Sequence, residues 1–189
     1  MRDRIRLAVI YGSTREGRFC DVITQWVLAQ LGQREDFTVD VIDPAGRSES
    51  SRPWQAGHAS WRDRLDAADA FIVVTPEYNH SYPAALKSFV DGFKQEWAAK
   101  PVAFVSYGGL SGGIRAVEHL RTVFAELHAV GIRDSVPFLN AWDQFRQDGT
   151  LRAPERAERA MATMLARLAW WGKALRDGRL ASDYAEATA

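Results

Sequence analysis

Apolar residues in this chain follow two rhythms. Short runs, solidly apolar or alternating with polar residues, mark strands at 5–11, 37–42, 70–75, 102–107 and 135–139. Between them apolar positions recur every three or four residues, which predicts helices at 17–31, 60–67, 83–93, 114–128 and 154–176. The third helix carries Leu86, Phe89, Val90 and Phe93 on one stripe, the fourth Val117, Leu120, Phe124 and Leu127, and the fifth Met161, Met164, Leu165 and Leu168. Stripes of this kind are packing faces. Strand and helix alternate throughout, so the expected class is α/β: a parallel sheet whose helical crossovers cover both faces.

Right-handed crossovers leave few topologies. The expected one is a flavodoxin-like three-layer sandwich, with a five-stranded parallel sheet of order 2-1-3-4-5 formed by residues 1–189 as a single domain. The polar, turn-rich segment 44–58 reads as a surface loop. Residues 180–189 have little apolar content and read as a tail that frays or docks on a partner subunit.

In such a sheet, ligands bind beyond the carboxyl ends of the strands, where the strand order reverses. Three loops meet there. The first, Gly12-Ser13-Thr14-Arg15-Glu16-Gly17-Arg18, joins a strand to a helix. It offers hydroxyls, guanidinium groups and the unpartnered amides of a helix start, a set that suits a phosphate. The second, Thr75-Pro76-Glu77-Tyr78-Asn79-His80-Ser81-Tyr82-Pro83, sets a ring and an amide on a proline-stiffened turn. The third runs from Ser106 to Gly113, and its glycines let backbone approach a flat ring closely. Each loop alone reads as an ordinary cap or turn, but their convergence points to a nucleotide-like ligand.

Charge and composition narrow the alternatives. Lys plus Arg and Asp plus Glu both number 24, which argues against nucleic acid and anionic membrane as partners. No apolar run approaches the roughly 20 residues of a membrane span, and the run after the charged first residues is too short for a signal peptide. The single Cys20 cannot form an internal disulfide and fits the reducing cytoplasm. No cluster has metal-ligand spacing. Phosphate-loop, dinucleotide-fold and nucleophile-elbow motifs are missing from the loops. Cys20 follows the first loop rather than opening it, so it reads as a small core residue rather than a nucleophile. Of the four histidines only His80 lies in a site loop, which makes it a candidate substrate contact.

Gly12 to Phe19, Thr75-Pro76-Glu77-Tyr78-Asn79 with Pro83-Ala84-Ala85-Leu86-Lys87 behind it, and Tyr107-Gly108-Gly109 together resemble the NADPH-dependent FMN reductase family of flavodoxin-like quinone, chromate and azo-dye reductases. The resemblance extends over residues 5–127. It implies noncovalent FMN with Ser13 and Arg15 on its phosphate, and Phe19 and Cys20 near the phosphate or ribityl chain. Pro76, Glu77, Tyr78 and Asn79 would line the isoalloxazine, with Tyr107, Gly108 and Gly109 closing the other side. Arg18 and Cys20 depart from the family's usual small polar residues. Arg18 would supply a second phosphate charge or reach toward the phosphate of NADPH.

The resemblance also implies hydride transfer from NADPH or NADH through FMN to a small-molecule electron acceptor, a quinone or free flavin, with no catalytic side chain from the chain. The alternative is a noncatalytic flavodoxin-type electron carrier or an FMN-binding sensor module. Such carriers tend to be acidic, whereas this chain is neutral. A homodimer or homotetramer is expected from the family, and Trp97, Trp142, Trp170 and Trp171 leave room for an apolar interface.

Overall fold

The computed structural model describes residues 4–46 and 60–186. Most of the expected loop 44–58 lies outside the described residues; 44–46 form a turn. Five strands, β1 (Ile5–Tyr11), β2 (Phe37–Ile42), β3 (Ala70–Pro76), β4 (Pro101–Gly108) and β5 (Val130–Leu139), form one sheet of order β2-β1-β3-β4-β5 with every pairing parallel. The helices are α1 (Cys20–Leu31), α2 (Trp61–Ala67), α3 (Ala84–Asp91), α4 (Ile114–Glu126), the short α5 (Ala141–Gln144) and α6 (Glu155–Ala181). This is the expected flavodoxin-like sandwich.

Alternation along the strands builds two cores. Leu7 and Val9, Ile72 and Val74, and Val105 and Tyr107 face α1 and α6. Ala8 and Ile10, Phe71 and Val73, and Val102 and Phe104 face α2, α3 and α4. Gly172 lets α6 sit close to the sheet: a β-carbon there would lie 3.2 Å from Ile5 Cγ2. In the second core Trp97 is fully buried, its indole N–H donating to the Val90 and Phe93 carbonyls at 3.2 and 3.1 Å. Its ring meets Phe71 and Phe124 edge-on at 4.8 and 5.3 Å between centroids. Trp97 is therefore a core anchor, not the interface residue the sequence suggested.

Three boundaries differ from expectation by three residues or more. β5 starts at Val130 rather than 135, because its first half is an edge with exposed Gly131 and Arg133 and a register shift opposite Val102 and Phe104. α1 starts at Cys20 rather than 17, because Gly17 is left-handed (φ +62°) and Arg18 folds under the loop. The tail is structured as far as 186: α6 continues to Ala181, and the Tyr184 hydroxyl shares a 2.9 Å hydrogen bond with His128 Nδ1.

At the amino edge of the sheet, buried Asp69 accepts the Arg6 amide at 2.9 Å and has the guanidinium groups of Arg6, Arg176 and Arg179 at 3.6 Å. Beside it, buried Lys100 donates to the Leu65 and Asp66 carbonyls at 2.9 and 2.8 Å, capping α2. Burial first, then the neighbouring Arg179, pushes the Lys100 pKa down to about 8.

Trp97→Ala is expected to destabilise the fold by about 3–5 kcal/mol, read by urea denaturation. Between about pH 8 and its ordinary pKa of 10.5, Lys100 holds its proton in the unfolded chain more than in the folded one. Its contribution to stability therefore rises with pH across that window. Unfolding midpoints measured from pH 7 to 10.5 should show this rise in the native protein and lack it in Lys100→Met.

Candidate cofactor site

The first loop is fixed from beneath. Gly12 donates its amide to the Val74 carbonyl at 2.7 Å, and a β-carbon at this position would lie 2.6 Å from that oxygen. Glycine thus lets the exit of β1 press against β3. Arg18 then folds back under the loop. It makes two bonds to Asp43, at 2.8 and 2.6 Å, one to Asp21 at 2.8 Å, and one to the Ser13 carbonyl. Its guanidinium also lies 4.4 Å from the Tyr11 ring centroid. Only 2% of the Arg18 side chain and 3% of that of Asp43 are exposed. Burial pulls the Arg18 pKa down, but the hydrogen bonds to Asp43 and Asp21 outweigh it and the net shift is upward.

With the Ser13 carbonyl drawn inward, the loop's N–H groups are left over. Among the described residues, no protein acceptor takes the backbone amides of Ser13 through Arg18. Arg15 is exposed and has no carboxylate partner among the described residues; its guanidinium lies 3.6 Å from the Tyr78 ring centroid. The Tyr78 hydroxyl in turn shares a 2.8 Å bond with Ser13 Oγ. First and second loops therefore meet through a phosphate-type donor set.

The second loop closes as a tight hairpin turn. Tyr78 and Ser81 exchange backbone bonds of 2.8 and 3.1 Å, with Asn79 (φ +49°) and His80 (φ +73°) at its tip. Two consecutive positive φ values match the type I′ turn, whose twist suits a hairpin. Glu77 ties this loop to the third. Its carboxylate accepts from Ser111 Oγ at 2.6 Å and from the Arg115 amide and guanidinium at 3.2 and 2.9 Å. Burial raises the Glu77 pKa, but the Ser111 and Arg115 bonds outweigh it and hold the carboxyl below its usual range. The third loop is packed to backbone contact. Gly113 has φ +84°, and a β-carbon there would lie 2.7 Å from Ser106 Cβ and 2.9 Å from the Tyr107 amide.

The loops thus converge on one sheet edge, but not every expected side chain points into it. Ser13, Arg15, Tyr78, Asn79 and Gly109 lie on these loops, with Ser13 fully buried, and Pro76 and Gly108 close β3 and β4 beneath them. Arg18 takes neither role expected of it, because its guanidinium is committed to Asp43. Cys20 is fully buried, with its thiol directed at the Val74 carbonyl at 3.5 Å. Burial pushes its pKa up, so it packs as a neutral thiol. The Glu77 side chain turns to Ser111 and Arg115 rather than to a ring.

Phe19 packs on Tyr107 and Phe145 at 6.0 and 5.7 Å between centroids. The buried Tyr107 hydroxyl lacks a hydrogen-bond partner among the described residues; the Cys20 thiol beside it affects its titration without adopting bonding geometry. Burial raises the Tyr107 pKa. Sequence reasoning missed Asp43, Ser111 and Arg115. Asp43 alone left a signal: it is the first polar residue after β2, the strand beside the first loop.

The profile of the family described as NADPH-dependent FMN reductase matches residues 5–143. An NAD(P)H-dependent FMN reductase of Schizosaccharomyces pombe is 37% identical over 121 residues, 57% of this chain and 60% of that protein. An NAD(P)H:quinone oxidoreductase of Solanum tuberosum is 38% identical over 115 residues, 57% of this chain and 58% of that protein. The chain thus spans about 60% of the length of these two curated relatives. A probable NADPH:quinone oxidoreductase of Oryza sativa is 30% identical over 182 residues, 87% of this chain and 91% of that protein. Among solved structures, the flavoenzyme NAD(P)H:(acceptor) oxidoreductase FerB of Paracoccus denitrificans superposes with a TM-score of 0.67 at 20% identity, covering 89% of this chain and 97% of that one. At that identity the likeness shows the fold.

Arg18→Ala strands the buried Asp43 carboxylate and is expected to cost about 3–5 kcal/mol. Replacing both partners, Arg18→Met with Asp43→Leu, should recover most of that loss in the same denaturation experiment. Failure of the double variant to recover would show that the pair is not the source of the loss.

Proposed function

We propose, because this chain belongs to the NADPH-dependent FMN reductase family, that it is an FMN-dependent NAD(P)H oxidoreductase acting on a small acceptor such as a quinone or free flavin. The observation that carries this reading is the first loop: among the described residues, a run of N–H groups without protein acceptors beside an arginine without a carboxylate partner. When bound, FMN supplies the hydride-relay chemistry between the nicotinamide and the acceptor. The residues present fit it. Ser13, Arg15 and the loop amides hold the phosphate, an arrangement suited to a dianion at a helix start. Tyr78 and Asn79 line one side of the ring, and the bare backbone of Gly108 and Gly109 the other.

Charge that builds on the ring needs fixed donors. The Glu77 and Tyr78 amides are not available, since they donate to the Tyr107 and Ser81 carbonyls at 3.0 and 2.8 Å. That role falls to the Asn79 and Gly109 amides, which have no protein acceptor among the described residues. No side chain has to act as acid, base or nucleophile. The Tyr107 hydroxyl, which has no hydrogen-bond partner among the described residues, would be a further donor for the cofactor.

A homodimer or homotetramer belongs to the same proposal. Leu110, Ile114, Leu139 and Trp142 are 88%, 47%, 44% and 57% exposed around the third loop and the end of β5, an apolar rim suited to a second copy. No helix among the described residues is long and apolar enough to cross a membrane. A cytoplasmic setting is proposed because the reaction draws on NADPH.

The purified protein is expected to be yellow, or to turn yellow with FMN, and to be bleached by NADPH and recoloured by a quinone. Arg15→Ala should weaken FMN binding about tenfold or more by loss of a charge-assisted contact, read by quenching of flavin fluorescence. A protein that takes no FMN would sink the reading. FMN binding without NADPH oxidation would favour the electron-carrier alternative.

A further inference from the structure

We propose that His80 and His119 form a clamp for the 2′-phosphate of NADPH and so set the preference for NADPH over NADH. This rests on the flavin reading above and deepens it. His80 occupies a place that backbone chemistry assigns to glycine. With φ +73° at the second tip position of the Tyr78–Ser81 turn, it is left-handed, a conformation disfavoured for a side chain with a β-carbon. His80 is exposed, so burial does not offset that cost. Strain kept at a ligand crevice is an observation that points to use.

Its ring faces a second one. The His80 and His119 centroids are 6.4 Å apart with planes tilted by 49°, too far and too oblique to stack. His119 is oriented by a 2.9 Å hydrogen bond between Nδ1 and Ser81 Oγ, and Ser81 itself closes the turn. Among the described residues no partner is found for the His119 Nε2. Among the described residues neither histidine pairs with a carboxylate. The acidic groups nearest in the chain are already taken, Glu77 by Arg115 at 2.9 Å and Glu118 by Arg121 at 3.3 Å, and the remaining one on α4, Glu126, lies seven residues beyond His119.

Arg115 lies one turn before His119 on α4, so the two share a face. Among the described residues no third His, Cys, Asp or Glu joins the two rings in a group that could hold a metal ion, which favours a phosphate over a metal ion between the imidazoles. The turn also carries Tyr78 and Asn79, the residues proposed to line the ring. A nicotinamide stacked on that ring would leave the adenosine half of its carrier to run outward across this rim. There, paired outward imidazoles offer donors to a dianion, and NADH has no group to meet them.

The test uses the FMN-loaded protein and two probes, 2′,5′-ADP and 5′-AMP, titrated by calorimetry at pH 6.5. The native protein should bind 2′,5′-ADP about tenfold more tightly. The double variant His80→Gly, His119→Gln should bind the two alike, with 5′-AMP unchanged. Glycine suits the turn, so the fold is not at risk at that position. In steady state the variant should show a KM for NADPH raised about tenfold with kcat unchanged, and an unaltered KM for NADH. A yellow native protein that binds both probes equally, or a double variant that keeps the preference, overturns the clamp and leaves the flavin reading standing. A protein that takes no FMN overturns both.

Discussion

The site depends on one buried ion pair. Arg18 and Asp43 come from different segments, the first loop and the turn after β2, and both are withdrawn from water. Such a pair is tolerable only when most of its donors and acceptors are used. Here Arg18 also binds Asp21 and the Ser13 carbonyl, and Asp43 also accepts the Ala45 amide at 3.0 Å. The pair fixes which way the first loop faces. One carbonyl is turned inward, and the amides have only the outside to face.

The same logic recurs at the third loop, with different chemistry. Glu77 does for the 108–113 segment what Arg18 does for the 12–18 segment: a charged side chain behind the crevice positions backbone in front of it. Glycines make both possible, Gly12 against the Val74 carbonyl and Gly113 against Ser106 and Tyr107. The charges expected at the ligand are thus largely spent on the scaffold, and what remains for the proposed ligand is amides, hydroxyls and Arg15.

Much of this was legible in the sequence, for reasons that differ by element. β1, β3 and β4 are buried on both faces, so their residues had to be apolar and their positions stood out. The first half of β5 did not, because an edge strand may carry Gly131, Arg133 and Asp134. The convergence of three loops followed from strand order alone. The direction of individual side chains did not. Nothing in the first loop distinguishes Arg15, which faces out, from Arg18, which faces in; the difference lies in Asp43, a partner 25 positions away. Likewise Glu77 sits beside Tyr78 in the chain, yet its destination is set by Ser111 and Arg115.

The turn at Tyr78–Ser81 separates two tasks within four residues. Its shape is held by backbone bonds between its ends, and Tyr78 is held from outside by Ser13 and Arg15. The tip residues Asn79 and His80 contribute none of those restraints. Asn79 belongs to the proposed ring contacts, but His80 does not, so its position is a place where the range of molecules accepted can drift over evolutionary time while the proposed grip on the cofactor stays constant. New specificities could be sampled there without first dismantling the machinery they serve.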